Sequence, residues 1–249
     1  MAKIAFTFDD GIRTHYDLVR PLFKKHGLTG TFFIPGIAGR SLWKFRMRGN
    51  VENDGVDMQE GPLGWPEIVE MADDGFELGN HTKSHPRMTA LSPDGCLQEI
   101  SAIEDEFKEH GIVPSSSFCY PGYHASGMVA SVLRAMGNFK FARIGYCVRQ
   151  IEQGEPKGGN RPDNREEVYY YIPGQTDPMY VPSTGILNDW YTVDHFIADV
   201  DGIPEGGVGV FTAHGFARKM RWDRFEEMVQ YVIDNGHETV NFRDMSAGD

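Results

Sequence analysis

The amino-acid sequence predicts an α/β fold, a distorted (β/α) barrel of about seven parallel strands. Short apolar runs alternate with segments of helical periodicity about seven times, with no break in composition between them. The 249 residues suit one such barrel and its core, so residues 1–249 are expected to form a single domain, with insertions near 37–64 and 150–176. Residues fit for chemistry stand repeatedly just after the apolar runs, which in a parallel barrel puts them on one rim.

Lys3-Ile4-Ala5-Phe6-Thr7-Phe8-Asp9 reads as a buried strand, and Asp10-Gly11 ends it in a turn. Leu18, Leu22 and Phe23 recur at helical spacing between Asp17 and Lys25, with Pro21 an irregularity and Gly27 a stop. Thr31–Ile34 is the second strand, closed by Pro35-Gly36. Pro66 opens a helix that Gly75 ends, and Phe76–Asn80 is the third strand. Ser92-Pro93 begins a helix expected to bury Leu97, Ile100, Ile103 and Phe107. Ser117–Pro121 is strand four, Phe139–Arg143 strand five, Tyr180–Pro182 a short strand six and Gly209–His214 strand seven. Met128, Val132, Leu133 and Met136 mark the helix between strands four and five, and Thr192 caps one that runs through Phe196. Phe225, Met228, Val229 and Val232 mark the last helix, before a further strand at Thr239–Phe242.

A formal net charge of -12 repels nucleic acid and anionic membrane surfaces, so neither is an expected partner. No apolar run approaches the roughly 20 residues that cross a bilayer. Met1-Ala2-Lys3 leads straight into a strand without a charged-then-apolar leader, and the expected location is cytoplasmic. Cys96, Cys119 and Cys147 are odd in number and widely spaced, as reduced thiols are. No glycine-rich phosphate loop follows a strand, which leaves nucleotide binding without support. In the first insertion, Trp43 and Phe45 lie among Arg40, Lys44, Arg46 and Arg48. That knot reads equally as a sugar-stacking wall, a contact between copies of a homo-oligomer or a solvated excursion.

Asp9 and Asp10 end the first strand side by side, where they repel each other and lose hydration; a cation is expected beside them. His81 and His85 follow the third strand four residues apart, and one helical turn would set both imidazoles on the same side. With a carboxylate from the first strand they make a two-histidine, one-carboxylate set for a divalent metal, zinc before others. Tyr120, Arg143 and His214 end strands four, five and seven. The remaining histidines, His15 among them, read as surface or cap residues. Cys119 stands near histidines but without an oxyanion-loop pattern, and reads as packing rather than as a nucleophile.

Thr7-Phe8-Asp9-Asp10-Gly11 followed by His81-Thr82-Lys83-Ser84-His85 resembles the first two motifs of the polysaccharide deacetylases, the NodB-like group of carbohydrate esterase family 4. Phe211-Thr212-Ala213-His214 resembles the last motif, and Asn188-Asp189-Trp190 the Asp-Trp motif. The resemblance implies the NodB-homology barrel and a metal-dependent hydrolase that removes acetyl from an N-acetylated sugar. It implies Zn2+, Co2+ or another divalent transition metal as cofactor, and a carbohydrate or small N-acyl compound as partner. By the same resemblance Asp9 is the general base, Asp10, His81 and His85 are the metal ligands, and His214 is the general acid. Asp189 would tune His214, Trp190 would line the groove, and the backbone amide of Tyr120 would help bind the oxyanion.

One motif departs from the family pattern: Phe118-Cys119-Tyr120-Pro121-Gly122-Tyr123 lacks the arginine that pairs with the base aspartate. Arg143, at the end of the neighbouring strand, is expected to reach the same rim and take its place; a pairing with a surface acid is the alternative. Two other functions share the motifs, a cyclic-amide hydrolase of the allantoinase-like kind and a carbohydrate-binding relative without turnover. Intact Asp10, His81 and His85 favour the metal route over the first of these.

Overall fold

In the computed structural model, which describes residues 1–36, 61–145, 170–187, 191–216 and 219–245, the sheet is built outward from β1 (Lys3–Asp9). On one side of β1 follow β2 (Thr31–Ile34), β3 (Glu77–Asn80), β4 (Ser117–Cys119) and β5 (Phe141–Arg143); on the other lie β7 (Val208–Ala213) and β6 (Thr184–Gly185). Each of these pairings is parallel. A short β8 (Glu238–Thr239) adds to the start of β1. The sheet curls until its ends approach: the Ile144 N–H donates to the Val181 carbonyl (2.9 Å) and the Val181 N–H to that of Ala142 (2.9 Å), tying the segment before β6 to β5.

The alternation of side chains along β1 decides what faces where. Ile4, Phe6 and Phe8 point outward into a core shared with helices, where Phe6 meets Phe23, Phe196, Phe211 and Phe225 at ring distances of 5.7–6.3 Å. Ala5 belongs instead to the inner cluster, with Phe33, Cys119, Phe141, Val210 and Phe242. Asp9 is the last inward residue of β1, so its carboxylate is delivered to the barrel interior at the carboxyl-terminal rim. Phe242, in a 3-10 turn over Phe242–Asp244, closes the other end, its ring 5.6 Å from Phe33 and 5.8 Å from Phe141.

The helices are α1 (Arg20–His26), α2 (Trp65–Asp73), α3 (Pro93–Glu109), α4 (Gly127–Met136), α5 (Val193–Asp201) and α6 (Lys219–Asp234). Several local readings of the sequence need correction. The segment expected to be one helix from Asp17 is a π-turn over His15–Val19 that passes into α1, with Pro21 in the first turn, where its missing N–H leaves no interior bond unmade. Leu97 is exposed; α3 buries Cys96 beside Ile100, Ile103 and Phe107. The sixth strand begins at Thr184 rather than Tyr180: Pro178–Tyr180 is a 3-10 turn, and Pro182 has no N–H with which to continue a ladder. The last strand ends at Thr239, because the chain turns to lay Phe242 under the barrel. The cluster from Arg40 to Arg48, most of both insertions, Cys147, Asp189 and Trp190 lie outside the described residues.

Candidate functional site

Asp10 leaves β1 in the left-handed region (φ 74°), followed by Gly11 (φ 58°), and this turn swings its carboxylate toward the loop after β3. That loop is not the helical turn the spacing suggested. Thr82 (φ 65°) and His85 (φ 56°) also take left-handed backbone, and the chain doubles back so that the two imidazoles meet edge to face, centroids 4.8 Å apart. Glu99 of α3 fastens the loop. Its carbonyl accepts from the Lys83 N–H (3.0 Å), and its carboxylate accepts from the Ser84 N–H (2.8 Å) and hydroxyl (2.7 Å). The Thr82 hydroxyl accepts from the His85 N–H (3.2 Å).

His81 and His85 each present Nε2 to the same oxygen of Asp10, at 3.4 and 3.3 Å. These separations exceed those of ordinary charge-assisted hydrogen bonds. They match the edges of a tetrahedron: ligands about 2.0–2.1 Å from a zinc ion stand about 3.3 Å from one another. The Nδ1–H of His81 donates to the Cys119 carbonyl (2.8 Å), which orients the ring so that Nε2 is the nitrogen turned inward toward Asp10. Asp10, His81 and His85 are thus a donor set that fits a divalent ion. A second grouping of Asp9, His81 and Cys119 does not, because the Arg143 guanidinium already stands between Asp9 and the Cys119 sulfur.

Arg143 is the last inward residue of β5 and is fully buried. Its Nη2 lies 2.6 and 2.5 Å from the two Asp9 oxygens and 2.7 Å from Cys119 Sγ, and its Nη1 donates to Ser183 Oγ (2.9 Å). The guanidinium is sandwiched between the rings of Phe33 and Tyr123, each centroid 5.3 Å from Cζ. Gly79 makes this possible, since a Cβ there would sit 2.4 Å from the Phe33 ring. Burial alone would raise the pKa of Asp9, but Arg143, with lesser help from His214 and His81, holds it below the ordinary carboxylate range. Asp10 is likewise buried and likewise held low, by His81, His214 and His85. The Cys119 thiol is pushed up by burial, against the pull of Arg143, so it stays protonated and is no nucleophile.

His214 follows the end of β7 with its side chain 40% exposed, and its Nε2 is 3.7 Å from both Asp9 Oδ2 and Asp10 Oδ2. Asp9, Asp10, His81, His85, Arg143 and His214 therefore converge on one rim, drawn from four strands. Tyr120 does not join them. Its N–H donates to the Arg143 carbonyl (3.2 Å) and its hydroxyl to the Met179 carbonyl (3.1 Å), so the expected oxyanion donor is spent on sheet pairing. Tyr123 (φ 63°) reaches the site instead, its ring edge-on to His214 at 6.3 Å. His15, read as a surface residue, is wholly buried beneath His214. Its one signal in the sequence is its place five residues after Asp10, at the start of an amphipathic segment.

A family model described as polysaccharide deacetylase matches residues 2–139. The chain is similar to the peptidoglycan-N-acetylmuramic acid deacetylase PdaA of Bacillus subtilis, 28% identical over 105 residues that make up 41% of this chain and 31% of that protein. The chain spans a third or less of the length of the curated relatives it matches. Among solved structures, the fold is similar to a family 4 carbohydrate esterase from Streptomyces lividans in complex with acetate, with TM-score 0.60, 16% identity, and 99% and 97% of the two chains covered. It is also similar to a family 4 acetyl xylan esterase from Clostridium thermocellum in complex with a cobalt ion, with TM-score 0.56, 18% identity, and 98% and 89% covered.

Proposed function

Because the chain belongs to the polysaccharide deacetylase family, we propose that it is a metal-dependent hydrolase that removes acetyl from an N-acetylated sugar, giving acetate and a free amine. One observation carries the reading: His81 and His85 stand 3.4 and 3.3 Å from a single oxygen of Asp10, with Asp9 and His214 beside them. Asp10, His81 and His85 would hold the ion, zinc or cobalt by the chemistry of the donors. When bound, a divalent cation supplies Lewis acidity, making a nearby water acidic enough for a weak base and drawing charge from an acyl oxygen.

Asp9 is that weak base. Arg143 keeps it ionised and aimed, and a carboxylate held low can take a proton only from an acidified water. The role assigned to Arg143 is the one the family gives to an arginine in the motif that reads Phe118-Cys119-Tyr120-Pro121-Gly122-Tyr123 in this chain. His214 stands at the solvent side of both carboxylates and gives its proton to the departing nitrogen. The amide bond breaks as the oxygen of water becomes part of acetate, and the proton balance closes between Asp9 and His214. The Tyr120 amide takes no part, since its hydrogen is already bound.

The test is acetate release by zinc- and cobalt-loaded protein from N-acetylglucosamine oligomers of two to six units, beside Asp9→Asn. Release that requires metal and is lost in Asp9→Asn supports the reading. No release from any oligomer, or full release by Asp9→Asn, overturns it.

A further inference from the structure

His214 lies just past the last rung of β7, where Ala213 pairs with Phe8, so the ladder no longer fixes its backbone. Two neighbouring residues of the first turn do. The Nε2–H of His15 donates to the His214 carbonyl (3.1 Å), and the Thr14 hydroxyl accepts from the Phe216 N–H (3.2 Å, buried). A carbonyl can only accept, so Nε2 carries the hydrogen and Nδ1 is the bare nitrogen. That Nδ1 is buried without a hydrogen-bond partner among the described residues. The ring itself is wedged against Phe8 (5.4 Å) and Phe32 (5.8 Å).

A buried imidazole with one nitrogen left unsatisfied is a costly way to fill an aromatic core. A phenylalanine would pack there without that cost and would lack only the hydrogen bond to residue 214. His15 also opens the π-turn that leads from the Asp9-Asp10 turn into α1, and its N–H donates to the Ile12 carbonyl (3.0 Å). The turn bearing the two carboxylates and the loop bearing the histidine are therefore joined by a short, dry path.

We infer that His15 is a positioning residue: together with Thr14 it clamps residues 214–216 and sets His214 in register with Asp9 and Asp10. This inference rests on the reading of His214 as the proton donor. The clamp acts on the backbone and touches neither the ion's ligands nor the substrate. Displacement of a reacting group by an ångström costs turnover on the order of 100-fold without an equal cost in binding.

Full-length His15→Phe, His15→Gln and Thr14→Val, zinc-loaded, separate this from a packing role. The probe is tetra-N-acetylchitotetraose, with kcat and KM determined separately, zinc affinity by chelator competition, and the His214 ring followed by 1H–15N NMR. His15→Phe is expected to lower kcat about 10–100-fold with KM and zinc affinity within about twofold, and to shift or broaden the His214 ring signals. His15→Gln, which keeps an N–H able to reach the carbonyl, recovers part of the loss. Thr14→Val loses less than His15→Phe and keeps the inference testable should that variant not fold. Unchanged kcat and unchanged His214 signals in any folded variant that lacks the bond overturn the clamp, as does a loss that follows melting temperature and zinc affinity alone. Should the wild type release no acetate, the deacetylase reading fails while the NMR comparison still decides the clamp.

Discussion

Arg143 and Asp9, 134 residues apart in the chain, form a buried ion pair in which one guanidinium nitrogen serves both carboxylate oxygens, at 2.6 and 2.5 Å. Its other terminal nitrogen donates to Ser183, and the guanidinium lies over the rings of Phe33 and Tyr123.

Removing Arg143 leaves a carboxylate buried without its partner. Arg143→Ala is expected to cost about 3–5 kcal/mol of stability and to abolish most turnover. Arg143→Lys keeps the charge but not the link to Ser183 or the sandwich, and should recover little. Urea denaturation of Arg143→Met, Asp9→Asn and the double variant measures the coupling; strict additivity would mean that the pair does not act as a unit.

Zinc added to metal-free protein is expected to raise the melting temperature, since on the proposed reading the ion would bind the assembled set and not the open chain. At a free concentration 100 times Kd the gain is about 2.7 kcal/mol. Asp10→Asn keeps the shape and loses the charge, and should erase most of that gain in a thermal-shift titration.

Glu99 fastens the His81–His85 loop from outside, with three hydrogen bonds and no contact with the ion implied. Glu99→Ala removes the two carboxylate bonds and keeps the carbonyl's, and should weaken zinc binding about 10-fold. Competition with a chromophoric chelator reads it directly; an unchanged affinity would show that the loop holds its shape unaided.

The buried imidazole of His15 gives the protein a distinct acid limb. Burial, opposed by the His214 carbonyl, lowers its pKa from 6.5 to about 4. The unfolded chain therefore binds this proton more readily than the folded one. Its contribution is complete above pH 6.5 and is lost as the pH falls toward 4, by about 3 kcal/mol across the window. Asp9 and Asp10, also held low, add their losses only below the ordinary carboxylate pKa of 3.8. Urea midpoints between pH 4 and 7 should fall in the wild type and be flatter in His15→Phe; parallel curves would place the limb elsewhere.

The alternation of strands and helices and the shared rim were legible because each depends on short-range pattern. The apolar runs of β1 and β7 read as strands of a parallel barrel, and whatever followed them had to share one end of it. The convergence of Asp9, Asp10, His81 and His214 needs no more than that. What was not legible depends on backbone torsion or on the third dimension. His-x3-His suggests a helical turn, yet the loop reaches the same end through left-handed residues whose identities, Thr82 and His85, give no sign of it. Tyr120 stands at the right strand end, but whether its amide is free depends on the register of β4 with β5, which sequence does not state. His15 was hidden because a histidine at the start of an amphipathic helix is most often wet.

Asp10, Thr82, His85 and Tyr123 are the non-glycine residues with positive φ among those described, and all four lie in the turns that follow β1, β3 and β4 at the rim. Glycine adopts that conformation at less cost, so a lineage selected only for resilience to heat would drift toward glycine at these places. In doing so it would shed a carboxylate, a hydroxyl, an imidazole and a phenol. On the proposed function, durability and reactivity would pull in opposite directions at these positions.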